Sequence, residues 1–122
     1  MFARLIFLSL LLSACAAKFE LPNLAKFDEE VFEIATKEGL NTLYVARVDD
    51  GYNFTLISAL GAPLARRILT HEGKFKNIGF LPPNSSYNEL FIKTLEMISL
   101  KEDEREFLIN QEKFKVRSID IR

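Results

Sequence analysis

The fold is set by residues 40–58, which read LNTLYVARVDDGYNFTLIS. Two runs rich in β-branched, aromatic and aliphatic residues flank Asp49-Asp50-Gly51, a sequence typical of a tight hairpin turn. From Tyr52 to Leu56 every second side chain is large and apolar, and the residues between are polar, which predicts a strand with one buried face. We therefore predict two antiparallel strands, over residues 40–48 and 52–58.

Turn sequences divide much of the remaining chain in the same way. The segment from Leu60 to Leu64 contains a glycine and a proline and interrupts the strand pattern. Beyond it, Gly73 and the sequence Asn110-Gln111-Glu112 mark two further turns. The runs that flank them predict four more strands, over residues 66–70, 74–81, 107–109 and 114–121.

Two segments show helical spacing. Residues 27–38 fit both a helix and the alternation of a strand, and we predict a strand over residues 31–37. Residues 87–100 predict an amphipathic helix, capped by Ser85 or Ser86. Its apolar stripe comprises Leu90, Phe91, Thr94, Leu95 and Ile98. The charged run over residues 101–106 is interpreted as a solvated connection.

The N-terminal segment has the organisation of an export signal. Arg4 supplies a positive charge, and an apolar run of about eight residues follows, far shorter than the ~20 residues of a membrane-spanning helix. The sequence Leu12-Ser13-Ala14-Cys15 then resembles the lipobox of bacterial lipoproteins, and Cys15 is the only cysteine in the chain. The resemblance implies that Cys15 receives a lipid and becomes the new N-terminus after cleavage.

These features predict three parts of the chain: a signal peptide over residues 1–14, a lipidated cysteine and tether over residues 15–26, and a single β-rich domain over residues 27–122. Attached acyl chains make membrane anchoring stable. Ala16 follows the cysteine in place of the aspartate that retains well-studied lipoproteins in the inner membrane. The resemblance therefore implies an outer-membrane anchor and a periplasm-facing domain, with the cell surface as the alternative.

The composition argues against several classes of function. Sixteen basic and 17 acidic residues give a formal net charge of −1, so that no basic excess is available for nucleic acid. The only histidine, His71, lies in a predicted turn, and Asp49-Asp50 lacks the further oxygen ligands of a calcium loop. We predict a non-enzyme without catalytic residues, metal or cofactor. The 11 phenylalanines either fill a core or line an apolar cavity.

The order of segments resembles that of small LolA/LolB-like lipoproteins. Residues 44–48 and an acidic turn lead into residues 54–57, and residues 58–65 read SALGAPLA, similar to the Leu-Gly-x-x-Leu bend of these proteins. A strand, a glycine turn, a second strand and a Pro-rich link to an amphipathic helix complete the likeness.

The resemblance implies a curved antiparallel sheet of about six or seven strands, an incomplete barrel, with one covering helix. In that family the apolar hollow beneath the covering helices receives acyl chains, and in LolB a loop with an exposed leucine assists delivery to the outer membrane. The side chains that would line this hollow are Phe54, Leu56, Phe75, Ile78, Phe91 and Leu95. Leu60, Pro63 and Leu64 would lie at its rim and face the membrane.

An immunoglobulin-like sandwich is the alternative architecture, because about seven short strands separated by turns also fit it. It would have a filled interior, and the protein would then act as a surface or periplasmic module that binds a protein partner. The acyl-chain hypothesis instead requires a cavity between sheet and helix.

Overall fold

The computed structural model describes residues 21, 28–79 and 84–119. The predicted signal peptide and Cys15 lie outside the described residues. Seven strands and a helix are described: β1 Glu29–Thr36, β2 Gly39–Val48, β3 Gly51–Ile57, β4 Pro63–Thr70, β5 Phe75–Asn77, α1 Ser85–Leu100, β6 Glu104–Ile109 and β7 Glu112–Ser118.

All seven strands belong to one antiparallel sheet. Their order is β5-β4-β3-β2-β1-β7-β6, so that β5 and β6 are the two edges and the sheet does not close on itself. The predicted curved, open sheet with one covering helix is therefore confirmed. A sandwich requires two facing sheets, and the described residues form only one, so the immunoglobulin-like alternative is not adopted.

The hairpin predicted at Asp49-Asp50-Gly51 joins β2 to β3, and Val48 pairs with Gly51. Gly51 has φ of +148°, and a Cβ atom built on it would lie 1.9 Å from the carbonyl oxygen of Leu69. Glycine is therefore required by the close approach of β4 as well as by the backbone conformation.

The segment that fitted both a helix and a strand is β1, as predicted. Phe32 and Ile34 of this strand are buried on the helix-covered face, whereas Glu33 between them faces outward and pairs with Arg117 of β7 at 2.6 Å. Alternate burial of this kind is typical of a strand with one solvated face. Tertiary pairing with β2 and β7 thus decides between the two local patterns.

The charged run over residues 101–106 was predicted as a connection, and this is wrong for its second half. Strand β6 begins at Glu104, and Glu104 and Lys115 of β7 form an ion pair of 3.0 Å on the solvated face. Opposite charges on neighbouring strands favour pairing, while Phe107 and Ile109 bury the other face of β6. The last strand was predicted over residues 114–121, and β7 instead begins at Glu112 and ends at Ser118. Residues 120 and 121 lie outside the described residues.

Helix α1 covers one face of the sheet. The side chain of Asn84 accepts a hydrogen bond of 3.0 Å from the Ser86 amide, so Asn84, rather than Ser85 or Ser86, caps the helix. The predicted apolar stripe is buried, with Ile98 partly exposed at its edge. The core between helix and sheet includes Phe32, Ile34, Leu43, Val45, Phe54, Leu56, Leu69, Leu90, Phe91, Leu95, Met97, Phe114 and Val116.

Candidate functional site

The centre of the interface between sheet and helix is filled by aromatic rings. Phe54 of β3 stacks on Phe91 of α1, with 4.7 Å between ring centroids and 5° between ring planes. Phe75 and Tyr87 contact the same ring at 6.3 and 6.2 Å. We call Phe54, Phe75, Tyr87 and Phe91 the aromatic cluster. Three of its members are residues that sequence analysis assigned to a cavity lining, and here they pack on one another.

A cavity does occur at one end of the same interface, where the β1–β2, β3–β4 and β6–β7 turns meet the start of the helix. We call it the terminal hollow, and its volume is about 200 Å³. Its apolar lining comes from strands β1, β3, β4 and β7 and from the helix: Ile34, Leu56, Leu64, Tyr87, Leu90 and Phe114. Exposed residues, including Leu40 and Leu60, complete the lining, so the hollow opens to solvent.

The β3–β4 loop shapes one wall of the terminal hollow. The Ser58 amide donates to the Ala62 carbonyl at 2.8 Å, and the Gly61 amide donates to the Ser58 carbonyl at 2.9 Å. This tight loop leaves Leu60 96% exposed. The register of β3 against β4 then shifts at Leu56/Ile57, a bulge that inserts one additional residue, and Leu64 packs against the core at the edge of the hollow.

The other wall of the hollow is polar. Glu38 of the β1–β2 turn and Glu112 at the start of β7 both line it. Burial raises the pKa of the Tyr87 hydroxyl, and the negative charges of Glu112 and Glu38 raise it further. The negative potential of both carboxylates therefore extends to this hydroxyl, and Tyr87 stays neutral at physiological pH.

A buried cation lies behind Tyr87. Arg67 of β4 is 3% exposed, and its Nη1 donates to the Asn84 carbonyl at 2.9 Å and to Asn88 Oδ1 at 2.6 Å. The guanidinium carbon lies 5.7 Å from the centre of the Tyr87 ring and 6.0 Å from that of Phe91. Desolvation lowers the Arg67 pKa. Arg67 thereby joins the sheet to the first turn of the helix and does not line the terminal hollow.

Two other cavities in the described part of the chain have more charged linings. The one beside the end of the helix measures about 240 Å³, and Glu30, Lys101, Glu102 and Asp103 contribute to it. The other, of about 200 Å³, lies on the solvated face of the sheet beside the Glu33–Arg117 ion pair. An apolar ligand would have to desolvate these charges, so the terminal hollow is the better candidate for apolar chemistry.

The sequence-predicted site residues are divided between these regions. Leu56, Leu60 and Leu64 line the terminal hollow. Leu95 is fully buried in the core, and Pro63 is exposed at the start of β4. Ile78 is half-buried, and its amide donates to the Arg66 carbonyl at 2.8 Å. Cys15 lies outside the described residues.

Five lining residues of the terminal hollow were not predicted from the sequence: Ile34, Leu90, Phe114, Glu38 and Glu112. The alternation of Phe32 and Ile34 in β1, and of Glu112, Phe114 and Val116 in β7, marks the inward positions. Only the pairing of β1 with β7 brings the two sets to one end of the sheet.

No protein-family model, curated protein or solved structure matches the chain. The described residues contain no helix with the length and apolar character needed to cross a membrane. Residues 28–79 and 84–119 also contain no group of three or more histidine, cysteine or acidic side chains that could hold a metal ion.

Proposed function

We propose that the protein is a membrane-anchored lipoprotein, similar to LolB, whose domain binds the end of an acyl chain in the terminal hollow and takes part in lipid or lipoprotein transfer to the outer membrane. The observation that carries this proposal is the hollow itself. Its apolar lining lies beneath the covering helix, and the exposed Leu60 stands beside its opening.

The volume of the hollow limits what it can hold. About 200 Å³ is below the ~300–1,000 Å³ of typical small-molecule pockets, so only part of a long chain enters. Burial of about six methylene groups at ~0.8 kcal/mol each stabilises the complex by about 5 kcal/mol. The entropy lost on association reduces this gain, so the hollow alone gives weak binding, with a dissociation constant no tighter than about 10⁻⁴ M. Weak binding suits a site that receives and releases its ligand.

The proposed anchor would hold the domain close to a bilayer. Leu21 is half-buried against the core, and only five residues separate it from Cys15. Six residue steps reach at most about 22 Å when fully extended. If Cys15 carries the lipid, the domain therefore works at the membrane surface rather than far from it.

Native mass spectrometry tests the proposal. The protein is the unlipidated chain of residues 15–122 with Cys15→Ser, which retains every described element, and it is measured alone and with added acylated peptide. A one-to-one adduct is expected. Leu64→Trp should fill the hollow and abolish the adduct, whereas Ile68→Trp, which lies on the same strand but outside the hollow, should preserve it.

The absence of an adduct at millimolar acylated peptide would reject the acyl-chain proposal. The alternative, an anchored module that binds a protein partner, is favoured by the filled aromatic cluster and by Leu108 of the edge strand β6, which is 74% exposed. In that case, Leu108→Ser should reduce capture of the partner by the full-length lipoprotein in cross-linked envelopes, and Leu64→Trp should not.

A further inference from the structure

The lining of the terminal hollow combines an apolar floor with charges of one sign. Glu38 and Glu112 are its only charged members among the described residues, and no lysine or arginine in the described part of the chain lines it. The sheet places these carboxylates. Glu112 shares the helix-facing side of β7 with Phe114 and pairs with Ile109 of β6, and Glu38 projects from the turn between β1 and β2.

Neither carboxylate is neutralised within the described structure. The four ion pairs there join Lys93 to Glu96, Arg105 to Glu102, Lys115 to Glu104, and Arg117 to Glu33. None of them involves Glu38 or Glu112. A negative charge beside an apolar, partly desolvated wall attracts a cation more strongly than the same charge in bulk water does.

The neighbouring cations do not enter the hollow. Lys37 precedes Glu38 but is exposed and is not part of the lining, and Lys113 points to the opposite face of the sheet from Glu112 and Phe114. Arg67 lies behind the Tyr87 ring, where its bonds to Asn84 and Asn88 hold it. Tyr87 also lines the hollow, and its pKa is raised first by burial and then by the negative charges of Glu112 and Glu38.

We propose that the terminal hollow selects an alkyl or acyl chain whose head carries a positive charge, such as an ammonium group, over a chain that ends in a carboxylate or sulfate. This inference rests on the proposed insertion of a chain into the hollow and adds the charge of its head group. The whole chain has a formal net charge of only −1, so the selection arises from the local placement of Glu38 and Glu112.

Isothermal titration calorimetry with three probes of equal chain length tests the selection. The probes are decyltrimethylammonium, decyl maltoside and decyl sulfate, each kept below its micelle-forming concentration and added to residues 15–122 carrying Cys15→Ser. The expected order of affinity is cationic, then neutral, then anionic, with at least about tenfold between the first and the last. The preference should weaken in high salt, because the mouth of the hollow is exposed to solvent.

Two double variants separate local from general electrostatics. Glu38→Gln with Glu112→Gln should bring the three affinities within about threefold of one another. Glu29→Gln with Glu72→Gln changes the net charge equally, but both residues are exposed at the opposite end of the sheet, and the preference should remain. Circular dichroism establishes that each variant keeps its fold.

The outcomes distinguish the two proposals. If no probe binds, the acyl-chain function is rejected, and the charge selection falls with it. If the three probes bind equally, or if the sulfate binds best, chain binding stands and the selection for a cationic head is overturned. If the Glu29/Glu72 control loses the preference as fully as the Glu38/Glu112 variant does, the selection is a property of net charge and the assignment to the hollow is wrong.

Discussion

The aromatic cluster and the terminal hollow lie between the same sheet and the same helix, yet one is filled and the other is not. On β3 the difference arises over two residues. Phe54 presents a flat ring that stacks on Phe91, and the next inward residue, Leu56, meets the branched side chains of Leu64 and Leu90 across open space. Flat rings can pack face to face without a gap, whereas the leucines beside the bulge between β3 and β4 leave an open space.

The largest expected effect on stability comes from removing a ring of the aromatic cluster. Phe54→Ala should lower the free energy of unfolding by about 3–5 kcal/mol, because it removes a fully buried ring and leaves a cavity. Leu56→Ala should cost less, about 2–3 kcal/mol, because Leu56 already borders empty space. Urea unfolding with an unchanged m-value measures both, and equal losses would show that the hollow closes in solution.

A second substitution tests the cation that joins the cluster to the helix. Arg67→Lys should lower the free energy of unfolding by about 1–3 kcal/mol, since lysine retains the charge but cannot stack on Tyr87 and bond to both Asn84 and Asn88. The matched control, Arg66→Lys, alters an exposed side chain of the same strand and should change stability by less than about 0.5 kcal/mol. A similar small change at both positions would mean that the guanidinium geometry is unimportant.

A third change acts on the turn beside the hollow. Asn110 and Gln111 have φ of 49° and 67°, which only glycine adopts without cost. Gln111→Gly should therefore raise the free energy of unfolding by about 1 kcal/mol or less, measured by thermal or urea denaturation. The strain it relieves, about 1–2 kcal/mol, exceeds the extra backbone entropy that glycine loses on folding, about 0.5–1 kcal/mol. Binding in the hollow should be unaffected, because Gln111 is not part of its lining. A loss of stability would indicate that the Gln111 side chain makes contacts that offset its backbone strain.

The smallest effect concerns Tyr87, which belongs to both regions. Its pKa in the folded protein is raised first by burial and then by Glu112 and Glu38, whereas an unfolded tyrosine ionises near pH ~10. Unfolding thus releases a proton above that pH, and the stability from neutral Tyr87 is complete below about pH 10 and declines as the pH rises towards the folded-state pKa. Tyr87→Phe should flatten the fall in urea midpoint between pH 8 and pH 10.5, and an unchanged slope would contradict this assignment.

Much of the fold could be predicted because its information is local. The alternation from Tyr52 to Leu56 and the glycine turn before it define a hairpin, and the spacing from Leu90 to Ile98 defines the helix. The register of the sheet follows from burial of the apolar face. Strand β6 was only partly recognised because its first three residues are charged and resemble a solvated loop. Glu104 and Glu106 in fact pair with Arg117 and Lys115 across the β6–β7 hairpin.

The candidate site was less predictable because its lining is assembled from distant segments. Ile34, Leu56, Leu90 and Phe114 meet only after β1 has paired with both β2 and β7 and the helix has covered the sheet. Phe54, Phe75 and Phe91 were predicted to line one hollow, and in the structure their rings contact one another. Whether those rings line a cavity or fill it depends on their positions within an ångström or two, and the sequence does not determine positions that finely.

The open edges of the sheet matter when many copies share one surface. If the protein is membrane-anchored as proposed, its copies meet edge to edge at high local concentration, and an uncovered strand offers amides and carbonyls to which another sheet can add. Strand β5 has only three residues, and β6 begins Glu104-Arg105-Glu106. A short edge on one side and a charged edge on the other would keep crowded neighbours from joining into a continuous sheet, so that each copy remains a separate unit.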